Sequence, residues 1–251
     1  MLKQLAGISS GRAVLRSRVF APSICSRFYS FSASEQPRIR IGSQAPNFKV
    51  DTTQGPIDFH EFIGNNWTVL FSHPADYTPV CTTELGAFSK MKPEFDARGV
   101  KLIGLSTEGV ESHKGWIKDI EEVVTGNEKF NFPIIADESK EVAFKYDMVT
   151  EQDFKNLNSG MVATVRSVFV IDPKKTVRLI MTYPASTGRN TAEVLRVVDA
   201  LQLADKKGIA TPVDWTEGQD VIIPPTVSDE AAKEKFGDFN KVKPYLRYTK
   251  V

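Results

Sequence analysis

The chain has 251 residues, of which 41% are hydrophobic and 25% are charged, an ordinary composition for a globular protein. Its formal charge of +1 gives no sign of a nucleic-acid partner. No apolar run reaches the ~18 to 20 residues that span a bilayer, so we expect no stable membrane insertion. These values leave room for one large core, or for one domain with a smaller companion.

The charge is unevenly distributed. Residues 1–34 hold five basic side chains and no acid, a charge of +5, while the remaining 217 residues carry 27 basic and 31 acidic side chains, a charge of −4. An Arg-rich, Ser-rich and acid-poor start is typical of an organelle transit peptide. We expect residues 1–34 to be a mitochondrial presequence and a disordered lead-in, with "RFYS" at 27–30 placing cleavage near Tyr29. A chloroplast peptide and a basic disordered tail are the alternatives.

The rest of the chain alternates apolar runs with amphipathic segments, after a strand-and-turn region that precedes residue 65. We predict strands at 67–72, 100–107, 132–137, 167–172 and 176–183, and helices at 79–98, 111–124, 138–147, 191–207 and 228–236. This order indicates a layered α/β domain over residues 38–207, with a mostly parallel sheet closed by an antiparallel hairpin. We expect residues 208–251, which contain four prolines, to form a small C-terminal extension.

Cysteine is rare in this chain. Cys25 lies in the predicted presequence, so the mature chain keeps only Cys81. We predict that Thr78 caps a helix by accepting a backbone N–H and that Pro79 is its first residue, which makes Cys81 the third. The positive end of a helix favours a reactive thiolate there. A packed, inert thiol is the alternative.

No metal and no cofactor are expected. The three histidines, His60, His73 and His113, show no ligand spacing, and no second cysteine lies near Cys81. The chain also lacks a P-loop and a dinucleotide fingerprint. A Cys–His hydrolase that uses His73 is conceivable, although a histidine before a proline at a strand end more often caps or packs.

The segment "FSHPADYTPVCTTELGAFSK" resembles the active-site segment of one-cysteine peroxiredoxins of the peroxiredoxin-6-like subfamily. The family core Pro-x-x-x-Thr/Ser-x-x-Cys is matched by Pro74, Thr78 and Cys81. Further similar segments are "KLIGLS", "FPIIAD", "VRSVFVIDPKK", "YPASTGRN", "LRVVDALQL", "ATPVDW" and "YLRYT", so that the resemblance covers residues 38–251. With the presequence, the chain resembles a fungal-type mitochondrial form.

The resemblance implies an α/β thioredoxin-like fold with a small C-terminal extension domain, and an activity that reduces hydrogen peroxide and organic hydroperoxides. It implies that Cys81 attacks the peroxide and becomes a sulfenic acid, that Thr78 hydrogen-bonds the peroxide, and that Pro74 shields the sulfenate. His73 and Arg189 match secondary positions of the pocket, where a purely structural role is the alternative.

The family's arginine matches Arg166. From the residues alone, Arg166 precedes a strand whose members on the same face, Val168 and Val170, are apolar. A guanidinium there needs an anionic partner, which a thiolate would supply. A structural salt bridge is the alternative.

Because the mature chain has no resolving cysteine, we expect an external thiol reductant: glutathione, a glutaredoxin or thioredoxin. By similarity we also expect a homodimer in which residues 208–251 pack over the partner's active site. A redox sensor, relay or holdase is the alternative to a peroxidase, and only repeated turnover separates them.

Some relatives have a second, phospholipase A2 activity that uses a serine in a "GDSWG"-type segment, a histidine and an aspartate. Here the segment is "GNNWT", with Asn66 at the serine position and Lys174 at the aspartate position, and only His60 is retained. We therefore expect no such activity. Robust lipid hydrolysis by the mature protein would contradict this.

Overall fold

We describe the fold from a computed structural model, which covers residues 38–251 apart from 159 and 161. The predicted presequence, Cys25 and the cleavage site near Tyr29 fall outside these residues. In the described part of the chain, no helix is long and apolar enough to cross a membrane.

The described residues form ten strands and seven helices. The strands are β1 (Lys49–Thr52), β2 (Gly55–Asp58), β3 (Trp67–Ser72), β4 (Val100–Ser106), β5 (Ile134–Ala136), β6 (Arg166–Ile171), β7 (Val177–Tyr183), β8 (Val221–Ile222), β9 (Asn240–Lys243) and β10 (Leu246–Thr249). The helices are α1 (Phe59–Ile63), α2 (Pro79–Ala97), α3 (Val110–Val123), α4 (Glu141–Lys145), α5 (Glu151–Lys155), α6 (Thr191–Lys207) and α7 (Asp229–Phe236). Every predicted strand and helix is present, whereas α1, α5 and the strands of the C-terminal residues were not predicted.

Seven strands form one mixed sheet in the order β2-β1-β5-β4-β3-β6-β7. Only the pairings of β3 with β4 and of β4 with β5 are parallel, and the four other pairings are antiparallel. The expectation of a mostly parallel sheet is therefore wrong. The connection from β5 to β6 contains two short helices, and β6 joins the sheet antiparallel to β3.

The central strands are buried on both faces, which explains their continuous apolar sequences. On β3, Val69 and Phe71 face a cluster formed with α2, α3 and α6, whereas Leu70 faces a second cluster formed with α1 and α4. Successive strand residues point to opposite faces, so each strand contributes to both clusters. The sheet is thus the middle of three layers, and Cys81 belongs to the first cluster.

The C-terminal residues form a separate small sheet, in the order β8-β10-β9. Their apolar side chains Ile209, Trp215 and Val221 form a cluster that also contains Leu203 of α6 and Phe236 of α7. The C-terminal segment is therefore attached to the main part of the chain through α6.

Helix α4 begins later than the predicted start at residue 138, because Lys140 adopts a left-handed conformation, with φ of 63°. The carboxylate of Asp137, which is 1% exposed, accepts the backbone N–H groups of Val142 and Ala143. Burial raises the pKa of Asp137 from 3.8 to about 6, although these hydrogen bonds act in the opposite direction.

We predict that Asp137 stabilises the protein more in acid than at neutral pH. A carboxyl whose pKa is raised on folding binds its proton first in the folded state, which favours folding as the pH falls from about 6 towards 4. The free energy of unfolding of wild type, relative to that of D137N, should increase by about 2 kcal/mol as the pH falls from 7.5 to 4.5. Urea unfolding at both pH values measures this, and a constant difference would contradict it.

Candidate active site

Cys81 lies in the first turn of α2, at the carboxyl end of β3. Residues 73–78 connect the two elements, Thr78 precedes the helix and Pro79 is its first residue. Cys81 is therefore the third helical residue, as predicted, and it is completely buried. The positive end of the helix dipole lies at this point and favours an anion.

The predicted capping role of Thr78 is wrong. Its backbone is extended as expected for a residue before a helix, but its side chain makes no capping hydrogen bond. The hydroxyl instead donates to the carbonyl oxygen of Ala75 at 2.9 Å, within the same loop. The first-turn N–H groups therefore have no capping acceptor from Thr78. They remain available to stabilise a negative charge in this turn.

Arg166 contacts the thiol directly. It is the first residue of β6, is 2% exposed, and its Nη1 lies 3.4 Å from the Sγ of Cys81. Its Nε and Nη2 donate to the carbonyl oxygen of Ala185 at 3.0 and 2.8 Å, which fixes the plane of the guanidinium. A fixed cation at this distance stabilises an ionised sulfur.

Glu84 joins two arginines beneath the thiol. It follows Cys81 by three residues on α2, and its Oε2 accepts hydrogen bonds from Arg166 Nη1 at 2.5 Å and Arg189 Nη2 at 2.8 Å. Its Oε1 accepts the backbone N–H of Arg189 at 2.7 Å and Arg189 Nε at 3.0 Å. Arg189 is thereby held in the site, with its Nη1 donating to the carbonyl oxygens of Ser72 and Ser167.

This group of three buried charges has one positive charge in excess. Burial alone would raise the pKa of Glu84, but hydrogen bonds and charge from Arg189, with the charge of Arg166, hold it below its usual value. Glu84 is therefore a carboxylate, and it balances one guanidinium of the two. The remaining positive charge lies against the sulfur of Cys81, where an anion would balance it.

Two further predicted residues lie in the loop before α2. Pro74 is half-buried. His73 is completely buried, and its Nε2 lies 3.0 Å from Oδ1 of Asp76. The other oxygen of Asp76 lies 2.7 Å from Nδ1 of His113, on α3.

Sequence spacing missed the grouping of His73, Asp76 and His113, because the third residue follows the second by 37 positions and reaches it only through the fold. The three side chains could offer ligand atoms within 4.8 Å of one another, but their mutual hydrogen bonds already account for the arrangement. Glu84 was also missed, although its spacing of three residues from Cys81 places both on one face of a helix.

Comparison with known families agrees with this geometry. The model of the AhpC/TSA family matches residues 41–180, and the model of the C-terminal domain of 1-Cys peroxiredoxin matches residues 200–238. The first match covers more than half of the chain. The chain belongs to the one-cysteine peroxiredoxin family.

Curated relatives and a solved structure support the same assignment. "Peroxiredoxin PRX1, mitochondrial" of Saccharomyces cerevisiae is 61% identical over 230 residues, covering 92% of this chain and 87% of the relative. "1-Cys peroxiredoxin A" of Oryza sativa subsp. japonica is 49% identical over 221 residues, covering 86% and 99%. A structure described as the thiol resolving mechanism in yeast mitochondrial 1-Cys peroxiredoxin via glutathione/thioredoxin systems has 62% identity and a TM-score of 0.79, covering 85% of this chain and all of that one.

Peroxiredoxins are thiol-dependent peroxidases, so this chain is an oxidoreductase with an antioxidant function. The solved peroxiredoxin structures also confirm the expected thioredoxin-like fold, with its additional C-terminal part.

We predict that the substitution Glu84→Gln destabilises the folded protein by about 3 kcal/mol at pH 7, because it leaves buried guanidinium charge without a counterion. The pKa of Glu84 is depressed on folding, so its stabilising effect is present above the unfolded-state value of about 4.3 and is lost as the pH falls through the lower folded-state value. The difference between wild type and variant should therefore shrink in acid. Denaturant unfolding at pH 7 and near pH 3 measures it.

Glu94→Gln is the matched control on the same helix. Glu94 also forms an ion pair with an arginine, Arg98, but its side chain is 63% exposed. Exposed ion pairs add little stability, so this substitution should have a small effect at both pH values. Equal effects of the two substitutions would contradict the assignment of Glu84 as the buried counterion.

Proposed function

We propose that Cys81 is the peroxidatic cysteine, and that its thiolate attacks one oxygen of a hydroperoxide. The S–O bond forms as the O–O bond breaks, the sulfur is oxidised to a sulfenic acid, and the leaving alkoxide or hydroxide takes up one proton to become an alcohol or water. The contact of 3.4 Å between Arg166 and the sulfur, in a pocket that holds an excess positive charge, carries this proposal. Hydrogen peroxide and organic hydroperoxides are the proposed substrates.

The other residues of the pocket take supporting roles in this proposal. Arg166 stabilises the thiolate and the charge that develops on the peroxide. Thr78, a half-buried residue three positions before Cys81, hydrogen-bonds the peroxide, and Pro74 shields the sulfenate. Arg189 positions Glu84 and hence Arg166, while His73 borders the same pocket.

The oxidised cysteine needs an external thiol, because Cys81 is the only cysteine after residue 34. The yeast structure concerns thiol resolution via the glutathione and thioredoxin systems, and we propose glutathione, a glutaredoxin or thioredoxin for this chain. Cys81 is completely buried, so the first turn of α2 must open before a bulky thiol reaches the sulfur.

We further propose that the chain divides into a thioredoxin-like domain of residues 38–207 and a C-terminal extension of residues 208–251, and that it forms a homodimer. The extension leaves large apolar side chains exposed, including Val213, Val242 and Tyr245. A second copy of the chain would cover such side chains if the extension packs over the partner's active site.

We propose that the protein lies in the mitochondrial matrix after removal of an N-terminal presequence by cleavage near Tyr29. The basic, acid-free composition of this segment supports the proposal, as does the mitochondrial yeast relative.

Repeated turnover tests this function. Hydrogen peroxide should cause continued NADPH oxidation when the wild-type protein is coupled to glutathione and glutathione reductase, or to thioredoxin and thioredoxin reductase. The variant Cys81→Ser should support no such oxidation. A single turnover with every reductant would instead indicate a redox sensor or relay and would contradict the peroxidase.

We predict that Arg166→Lys lowers kcat/KM for hydrogen peroxide about a hundredfold, the order of loss when a fixed donor to developing charge is removed. A lysine cannot bond Ala185, Glu84 and the sulfur with one planar group. Steady-state kinetics measures the effect. Arg178→Lys is the matched control on β7, because Arg178 pairs with Asp205 outside the site, and it should retain wild-type activity. Equal losses in both variants would contradict the role of Arg166.

A further inference from the structure

A buried row of three side chains runs from the loop before α2 to helix α3. The Nε2 of His73 lies 3.0 Å from Oδ1 of Asp76, whose Oδ2 lies 2.7 Å from Nδ1 of His113. Both histidines are completely inaccessible to solvent, and the Asp76 side chain is 2% exposed. The hydroxyl of Ser112 also donates to Oδ2 of Asp76, at 2.7 Å. Both oxygens of this carboxylate therefore have hydrogen-bond partners.

His113 faces an acceptor with each ring nitrogen. Its Nε2 lies 3.1 Å from the carbonyl oxygen of Ile135, and its Nδ1 faces the carboxylate of Asp76. A neutral imidazole has a single N–H, so both contacts are hydrogen bonds only if His113 is an imidazolium. Burial alone would raise the pKa of Asp76. Hydrogen bonds and charge from His113 and His73 lower this pKa by more than burial raises it, so it lies below its usual value. His113 and Asp76 therefore form a buried ion pair.

His73 is in the opposite state. Burial lowers the pKa of His73, which makes it a neutral ring with one hydrogen. The contact with the Asp76 carboxylate places that hydrogen on Nε2. The other nitrogen, Nδ1, keeps a lone pair that is buried and has no hydrogen-bond partner among the described residues.

The ring that carries this nitrogen lies near residues that neighbour Cys81. The ring of His73 lies 5.1 Å from the ring of Trp116, and Trp116 donates its indole N–H to Thr82, the neighbour of Cys81. The preceding residue, Ser72, is held by Arg189 through its carbonyl oxygen. A buried acceptor without a donor is costly, and a small O–H donor in this pocket would satisfy it.

We propose that His113 is a positioning residue of the peroxidase reaction, which acts through Asp76 on His73. As an imidazolium it keeps Asp76 ionised, and Asp76 then fixes His73 in the tautomer whose Nδ1 accepts a hydrogen bond from the hydroperoxide O–H. This inference rests on the proposed function of the Cys81 pocket. It assigns a role to a residue of α3 that lies 32 positions beyond Cys81 in the sequence.

The test compares two reactions of Cys81 in the full chain, each followed by the mass of the peptide that contains Cys81, because the full chain also contains Cys25. One is sulfenate formation with hydrogen peroxide. The other is alkylation by methyl iodide, which has no O–H or N–H group to donate a hydrogen bond to His73. His113→Gln should slow the peroxide reaction about tenfold, the usual order of loss when a residue that orients a histidine is removed. Alkylation should keep the wild-type rate, because the thiolate itself is unchanged.

His60→Gln is the matched control, since His60 bonds the carbonyl oxygen of Ala45 outside this row and should leave both rates unchanged. Equal slowing of both reactions in His113→Gln would show a merely structural role and overturn the proposal, as would no slowing of either. A wild-type chain that does not react with peroxide would instead overturn the proposed function.

Nitrogen NMR of the histidine rings in wild-type protein gives a second test that needs no variant. We expect His113 to carry a proton on both nitrogens and His73 to carry one on Nε2 only. If His113→Gln does not fold, this spectrum alone decides the question. A singly protonated His113, or a proton on Nδ1 of His73, would overturn the proposal.

Discussion

The site depends on the charge balance among one carboxylate and two guanidinium groups beneath Cys81. Removing three charges from water is unfavourable unless each finds a partner, and Glu84 meets this condition by accepting four hydrogen bonds from Arg166 and Arg189. Because one carboxylate faces two cations, a positive charge remains. Arg166 presents that charge to the sulfur, which also lies at the positive end of α2. An anion at the sulfur of Cys81 would balance this remaining charge.

The fold brings these groups together from distant parts of the chain. Helix α2 contributes Cys81 and Glu84, the antiparallel strand β6 contributes Arg166, and the residues before α6 contribute Arg189. Arg189 also donates to carbonyl oxygens on both β3 and β6, so the same side chain ties the two strands together at the pocket. The ion pairs that hold the strands and helix in place are therefore the same ones that bring positive charge to the sulfur.

Local sequence rules predicted the parts of the site that lie within one element. Pro79 at the first helical position was enough to place Cys81 in the first turn of α2, and the apolar run before it predicted β3. Contacts between residues that are distant along the chain could not be predicted by such local rules. Arg166 was found through a motif, but its contact with Glu84, 82 residues earlier, depends on the pairing of β6 with β3. Hydrophobic runs carry no strand direction, which is why the sheet was expected to be mostly parallel.

The most direct test of the account is the intact mass of the mature protein after one equivalent of hydrogen peroxide, with a sulfenate trap present. If the excess positive charge holds an ionised sulfur ready to react, a single adduct should form at Cys81 within seconds, or Cys81 of two chains should join in a disulfide. An unmodified Cys81 would show that the buried thiol is inert and would contradict the assignment of the site.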